Sequence, residues 1–384
     1  MARSLLVAGL AFGDESKGAT VDALCREFPV DLVIRYNGGC QAQHAVVLPD
    51  GTTHTFSQFG AGMLANEQVC TYLSRYVLVE PLAMLREASA LQPLIPDIWD
   101  RVSVDARAPI VTPLHRQLNR LRERARGDQR HGSCGRGIGV TRELHLLYGS
   151  DVLVAGDFRD KSRLAEKVAF LWETMRAESQ ALSISLRERW RDLTNADDVI
   201  ALYENLDWPV RIVDGFEPAP LMVFEGAQGV LLDETHGFQP HVTWTDTTFT
   251  NADALLDSVG VTDVVRIGCL RSYYTRHGAG PFPTEDSTLA VPELHNGTGE
   301  YQGAFRVGRF DFNLARRALK IVGGVDALSI SHLDYLDRLG IGNETDFLEA
   351  IESSLGIEIG MTAHGPTAND RQIRNGILKM ECTA

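Results

Sequence analysis

Near the start of the chain, six residues hold two carboxylates, a lysine and two glycines: Gly-Asp-Glu-Ser-Lys-Gly at 13–18. Glycine lets a backbone approach a ligand closely and lysine adds a point charge, so the composition suits phosphate. The order G-x-x-x-x-G-K-[ST] is absent, so this is not a Walker A loop. Carboxylates beside phosphate call for a metal ion or a proton transfer, which makes Asp14 the residue to explain. Three further glycine-rich stretches carry reactive or hydrogen-bonding side chains: Gly-Gly-Cys-Gln-Ala-Gln-His at 38–44, Gly-Ser-Cys-Gly-Arg-Gly-Ile-Gly at 132–139, and Glu-Gly-Ala-Gln-Gly at 225–229.

The elements around these turns explain how they would meet. An apolar run at 5–12 precedes the first turn and helical spacing at 19–24 follows it, which predicts strand, turn, helix. That order aims backbone N–H groups and a helix dipole at a ligand above the sheet. Residues 30–36 predict a second strand running into the 38–44 turn, 45–48 and 52–56 a hairpin around Pro-Asp-Gly, and 81–88 a helix with Pro at its first turn. Residues 160–205 read as amphipathic helix packed outside a sheet. Strands follow at 221–225, 264–270 and 327–330, with helices at 312–322 and 347–355. Alternating strands and helices predict an α/β fold with a mostly parallel central sheet and helices on both faces, its Gly turns gathered at the carboxyl edge. Without a visible repeat or linker, residues 1–384 read as a single domain with helical insertions.

Composition excludes other classes. The 384 residues are 44% hydrophobic and 23% charged, enough for a large core, and the net charge of −14 argues against a nucleic-acid or anionic-membrane partner. Six cysteines are scattered without C-x-x-C pairs, so neither a zinc site nor a disulfide framework is expected. With no apolar run of membrane-spanning length, a cytoplasmic location is the expectation.

Taken together and in order, these turns with Val-Thr-Trp-Thr-Asp-Thr-Thr at 242–248, Thr-Arg-His-Gly-Ala-Gly-Pro-Phe-Pro-Thr at 275–284 and Leu-Asp-Tyr-Leu-Asp at 333–337 resemble the motifs of adenylosuccinate synthetase over residues 1 to about 375. The resemblance implies a single-domain enzyme related in fold to P-loop proteins, usually a homodimer, that uses a nucleoside triphosphate and Mg²⁺ to join aspartate to C6 of a purine monophosphate. It gives Asp14 the role of base and His44 that of acid toward the moving phosphoryl group. It places the donor nucleotide on Gly13, Glu15, Ser16, Lys17, Gly18, His332, Asp334, Gly365 and Pro366. The purine monophosphate falls to Asp14, Gln41, Ser133, Cys134, Gln228, Leu232 and Thr243, the amino acid to Gln302, Gly303 and Arg306, and the metal to Asp14 and the Gln43 carbonyl.

Departures from the family pattern narrow the reading. Gln41 replaces an Asn, Ala45 a Thr, Ser16 a Gly and His332 a Lys, while Glu-Tyr-Gln-Gly-Ala-Phe-Arg at 300–306 keeps one arginine of a usual set. A second-subunit arginine has no match at 145–152, and the stretch between Asp337 and Phe347 is short. These features resemble the phage 2-aminoadenylosuccinate synthetase branch, which implies dGMP as acceptor, ATP or dATP as donor, and a host cytoplasm. Two alternatives stay open: an ordinary synthetase using IMP and GTP, and a nucleotide-binding protein without turnover. Asp334 alone favours guanine, since a carboxylate accepts both N1–H and N2–H. Whether a backbone carbonyl, Ser16 or Gln41 meets a 2-amino group is likewise open.

Overall fold

The structure, a computed structural model, describes residues 2–127, 133–182, 195–292 and 303–374. In chain order its first half runs β1 (Arg3–Gly9), α1 (Lys17–Glu27), β2 (Leu32–Arg35), β3 (His44–Val47), β4 (Thr53–Phe56), β5 (Cys70–Leu73), α2 (Pro81–Leu91), β6 (Val102–Asp105), α3 (Pro113–Ala125), α4 (Ile138–Tyr148), α5 (Lys161–Ala181) and α6 (Ala196–Glu204). The second half adds β7 (Arg211–Val213), β8 (Leu221–Gly229), α7 (Thr250–Val259), β9 (Asp263–Arg271), β10 (Tyr273–His277), β11 (Phe305–Arg309), α8 (Phe312–Val322), β12 (Ala327–Ser331), α9 (Glu344–Leu355), β13 (Ile359–Ala363) and β14 (Arg371–Ile373).

Helix boundaries follow side-chain chemistry at their ends. Asp311 accepts from the backbone N–H groups of Asn313 and Leu314 to start α8, and Gly323, at φ 75°, ends it. Asn343 caps α9, which closes on Gly356 at φ 69°. α9 therefore begins at Glu344, three residues before the start expected from its apolar residues, because the cap and not the first buried side chain sets the boundary. Pro81 opens α2, where its missing N–H costs nothing.

Among the described residues, ten strands form one sheet in the order β14-β13-β12-β9-β1-β8-β2-β5-β6-β7. Every pairing is parallel except that of β14 with β13. Alternate residues of β1 feed different cores: Leu5 and Val7 join a cluster with Val21 and Leu24 of α1, whereas Leu6 and Ala8 join Leu255 and Leu256 of α7. Both faces of the strand are covered, which is why it reads as an unbroken apolar run. The α/β fold with a mostly parallel sheet agrees with the expectation from sequence. Leu164, Val168 and Leu171 of α5 pack into the α1-side core, as expected for an outer helical layer.

Chain order reverses around β1. The first half builds outward through β2, β5, β6 and β7; then β8 returns between β1 and β2, and β9, β12 and β13 extend the other way. Crevices at such reversals lie beyond the carboxyl ends of the strands. The ends of β1, β2, β9 and β12 open onto the 13–18, 37–44, 271–277 and 331–334 segments, and the last residues of β8, 225–229, run beside the end of β1.

Candidate active site

The 13–18 turn is built around an internal ion pair. Lys17 Nζ donates to Glu15 Oε2 at 2.9 Å and to the Gly13 carbonyl at 2.7 Å, and Glu15 Oε1 accepts from Gly13 N at 2.5 Å. Both side chains are almost fully buried. Glu15 is thereby neutralised inside the turn, and a Cβ on Gly9 would fall 2.0 Å from its Oε2, so only glycine lets the pair sit beside β1. Asp14 instead points outward with 29% of its side chain exposed, accepting from His277 Nε2 at 3.1 Å. Burial alone would raise its carboxyl, yet the His277 hydrogen bond and the charges of Arg271 and Lys17 hold it below the usual value.

His44 opens β3 and lies against α1. Its Nδ1 meets Glu225 Oε1 at 2.5 Å, and Glu225, fully buried, also accepts from Ala61 N at 2.9 Å. Burial would raise the Glu225 carboxyl, but Arg35, His44 and the Ala61 N–H bring it down. Burial pushes His44 itself down to about 4 despite the adjoining carboxylate. The pair at neutral pH is therefore a neutral imidazole donating Nδ1–H to a carboxylate, which fixes the tautomer and leaves Nε2 as the outward atom. A Cβ on Gly18 would lie 2.4 Å from His44 Cβ. Gly18 thus admits the histidine to the head of α1.

Four contacts draw the turns together. Asn37 Nδ2 donates to Ala227 O and Asp246 O, while its Oδ1 accepts from Ala227 N at 2.6 Å. Arg136 of the 133–137 loop donates to Cys40 O at 3.2 Å. Gly13 abuts the backbone of Gln228, and Ser331 Oγ donates to Ser16 Oγ at 3.2 Å. Asn119 holds Ser133 at 3.1 Å, and Cys134 is exposed.

Among the described residues, three other than glycine have positive φ: Ser16 at 59°, Gln228 at 60° and His332 at 61°. All three are among the expected site residues. A side chain in this region costs of order 1 kcal/mol, so each is held by its surroundings. Gln228 Oε1 accepts from Thr243 Oγ1 at 3.0 Å and Thr245 Oγ1 at 3.4 Å, which aims its amide N–H₂ elsewhere, and Thr243 N is tied to the Leu232 carbonyl. His332 packs edge-on against Tyr273 and Tyr335, and burial with Arg271 and Arg371 nearby drives its imidazole well below the usual value. Asp334 is exposed beside it, and Gly365 and Pro366 follow β13 on the same edge. Gln41 has both amide atoms buried with no hydrogen-bond partner, against Gly38 and Gly39.

Of the expected amino-acid contacts, Gln302 lies outside the described residues, and Gly303 is exposed with φ 86°. Arg306 donates to the carbonyls of Gly278 and Gly280, both at 2.9 Å, and to Glu285 Oε2 at 2.9 Å. Its guanidinium clamps the 278–280 turn here, so an incoming carboxylate competes with Glu285. Gln43 is exposed on the turn before β3.

Sequence reasoning assigned no role to Glu225, His277 or Asn37. The signal for Glu225 was an acid closing an apolar strand, a place where a charge persists only when partnered. A cleft of about 450 Å³ is lined by Arg75, Arg107, Arg142, Arg163 and Lys167 among others, and borders this site through Thr245. Arg107, Arg142 and Lys167 already pair with Asp105, Glu234 and Asp157, so its positive charge is largely spent.

A family model for adenylosuccinate synthetase matches residues 6–341. The adenylosuccinate synthetase of Acidithiobacillus ferrooxidans is 33% identical over 352 residues, covering 88% of this chain and 79% of the relative. That of Synechococcus sp. (strain RCC307) is 34% identical over 351 residues, covering 88% and 77%. Among solved structures, the fully ligated enzyme of Plasmodium falciparum superposes with a TM-score of 0.78 at 17% identity, over 97% of this chain and 99% of the other. Cyanophage S-2L succinoaminodeoxyadenylate synthetase, bound to dGMP and to dATP as an energy donor, superposes with a TM-score of 0.67 at 20% identity, over 97% and 95%. At these identities the two structures establish likeness of fold.

Proposed function

The chain belongs to the adenylosuccinate synthetase family, carbon–nitrogen ligases of purine biosynthesis, and from that premise we propose that it condenses L-aspartate with dGMP, using ATP or dATP, to form N6-succino-2-amino-2′-deoxyadenylate. The product supplies 2-aminoadenine for DNA, and the site works in a cytoplasmic homodimer. The observation that carries dGMP over IMP is the Gln41 amide, buried and without a partner where the family has a shorter Asn. An unpaired buried polar group costs about 1–3 kcal/mol. A 2-amino group on the purine would pair with Gln41 Oε1; hypoxanthine leaves it orphaned. The fold is one that a dGMP-bound phage enzyme also has.

Asp14 takes the N1 proton of the purine, which makes O6 nucleophilic. O6 attacks the donor's γ-phosphorus, the β–γ bridging bond breaks, and the nucleoside diphosphate departs. The aspartate amine then attacks C6 and the C6–O6 bond breaks, with inorganic phosphate as leaving group. His44, backed by the buried Glu225 carboxylate, takes up a proton at Nε2 as negative charge gathers on the phosphoryl group, and that N–H then donates to the phosphoryl oxygens. Gln228, its carbonyl end held by two threonines, presents N–H donors to the purine nucleotide. Among the described residues no three His, Cys, Asp or Glu side chains gather as a metal cage. The partly exposed Asp14 carboxylate and the exposed Gln43 turn offer hard oxygen donors, and these fit Mg²⁺, which takes one or two protein oxygens beside substrate phosphates and water. Asp14 and the Gln43 carbonyl would hold it, and when bound it neutralises phosphate charge.

The test crosses dGMP, GMP and IMP against ATP, dATP and GTP, with aspartate and Mg²⁺, and follows phosphate release. Turnover of dGMP with ATP or dATP is expected. Turnover of IMP with GTP and none of dGMP would return the chain to the ordinary reaction, which the exposed Asp334 would suit by accepting from guanine. Nucleotide binding with no phosphate release in any combination would mark a protein without turnover.

A further inference from the structure

His277 ends β10, and the two-stranded ribbon it forms with β11 carries Phe305 directly opposite. Its ring packs edge-to-face on Phe305 at 4.8 Å between centroids, which fixes its plane. From there Nε2 reaches Asp14 Oδ2 at 3.1 Å, across 263 residues of sequence. A carboxylate offers only acceptor positions, so Nε2 carries the hydrogen of this contact. Asp14 follows Gly13, whose φ of 116° gives the turn a backbone few residues adopt, and among the described residues His277 is the donor to its side chain. One of the two carboxylate oxygens is thus engaged by the ribbon, while the side chain as a whole stays 29% exposed.

We propose that His277 is a positioning residue for the base, its Nε2–H holding Asp14 Oδ2 so that Oδ1 is presented to the N1–H of the purine. The assignment rests on Asp14 being the base in the proposed reaction. It also gives the ribbon a second duty. Arg306 pairs with Arg276 one register position from His277 and clamps the 278–280 turn, so the strand pair that carries the expected amino-acid loop also sets the angle of the base. A free carboxylate rotates about χ2 through a broad, two-fold well, and a fixed donor on one oxygen removes that freedom before substrate arrives.

Kinetics of His277→Ala, His277→Gln, Asp14→Asn and the Asp14→Asn/His277→Ala double variant test this on the intact chain, with the wild type first shown to turn over a 6-oxopurine monophosphate. Removing a group that orients a catalytic residue typically lowers activity about 10–100-fold. His277→Ala is expected to lower kcat by that factor with the KM for donor nucleotide unchanged, and His277→Gln, whose amide offers an N–H at similar reach, to recover most of it. In the Asp14→Asn background His277→Ala should lower kcat no further, because both changes act on one group. A His277→Ala enzyme within about twofold of wild type, a Gln variant as poor as Ala, or additive losses in the double variant would each overturn the assignment. A wild type that turns over no 6-oxopurine with any donor would instead overturn the proposed reaction. An Ala variant that fails to fold leaves the Gln comparison to decide, since equal inactivity of a folded Gln variant refutes the N–H role.

Discussion

Gly18→Ala sets two opposing effects against each other at the head of α1. At an unobstructed helix position alanine would be about 1 kcal/mol more favourable than glycine. Here the added Cβ would stand 2.4 Å from His44 Cβ, 3.0 Å from its Cα and 3.2 Å from its carbonyl carbon. Carbon–carbon contacts relax at roughly 3.5–4 Å, so the two backbones must part by about 1 Å. Neither yields freely. β3 is paired to β4, with His44 opposite Phe56, and the His44 ring is bonded to a fully buried Glu225. On the other side, Arg371 Nε anchors the Ala19 carbonyl of α1 at 3.0 Å. Overpacking of this kind costs about 1–3 kcal/mol, so the expected net change is a loss of about 1 kcal/mol in urea unfolding. The functional effect is larger, because a misplacement of about 1 Å in a catalytic group lowers kcat on the order of 100-fold. Equilibrium unfolding and steady-state phosphate release on the same preparation read both numbers. A variant that gains stability and keeps wild-type turnover would refute the close approach of α1 and His44.

Three other outcomes follow from the same geometry. Asp14→Asn keeps the side chain's shape but cannot accept a proton, so nucleotide binding by equilibrium titration should persist while kcat falls about 10²–10⁴-fold; near-normal turnover removes Asp14 from the mechanism. Glu225→Gln replaces a charge-assisted contact to His44 with a neutral one, roughly half as strong, and should lower kcat about 10–100-fold with little change in KM; an unchanged kcat would make Glu225 purely structural. Burial pushes Glu87 up to about 7, although Ser57, Gln58 and Phe59 N–H groups and Arg35 pull it down. Its folded value lies above the ordinary 4.5, so the native state binds the extra proton and stability falls as pH rises from about 4.5 through 7, by up to about 3 kcal/mol. Glu87→Gln should show a flatter stability–pH curve over that window, and parallel curves would contradict the shift.

The sequence by itself determined the parts set by short-range chemistry. An Asp before Phe312 and a Gly after Val322 bound α8 because caps and left-handed turns are local events. Fully apolar runs marked buried parallel strands, and glycine turns after strands placed the reactive side chains on one edge of the sheet. What it left undecided was which side chains meet there. Gly18 read as a glycine for phosphate and became the gap that admits His44; Glu15 and Lys17 read as two ligand groups and became each other's partner. β8 continues through Gly229 rather than stopping at Glu225, and its place between β1 and β2 delivers Glu225 to His44 across 181 residues. The β10–β11 ribbon delivers His277 to Asp14 in the same way. Periodicity and capping act over a few residues, whereas these pairings depend on the order of strands in the sheet, which packing of the whole chain decides.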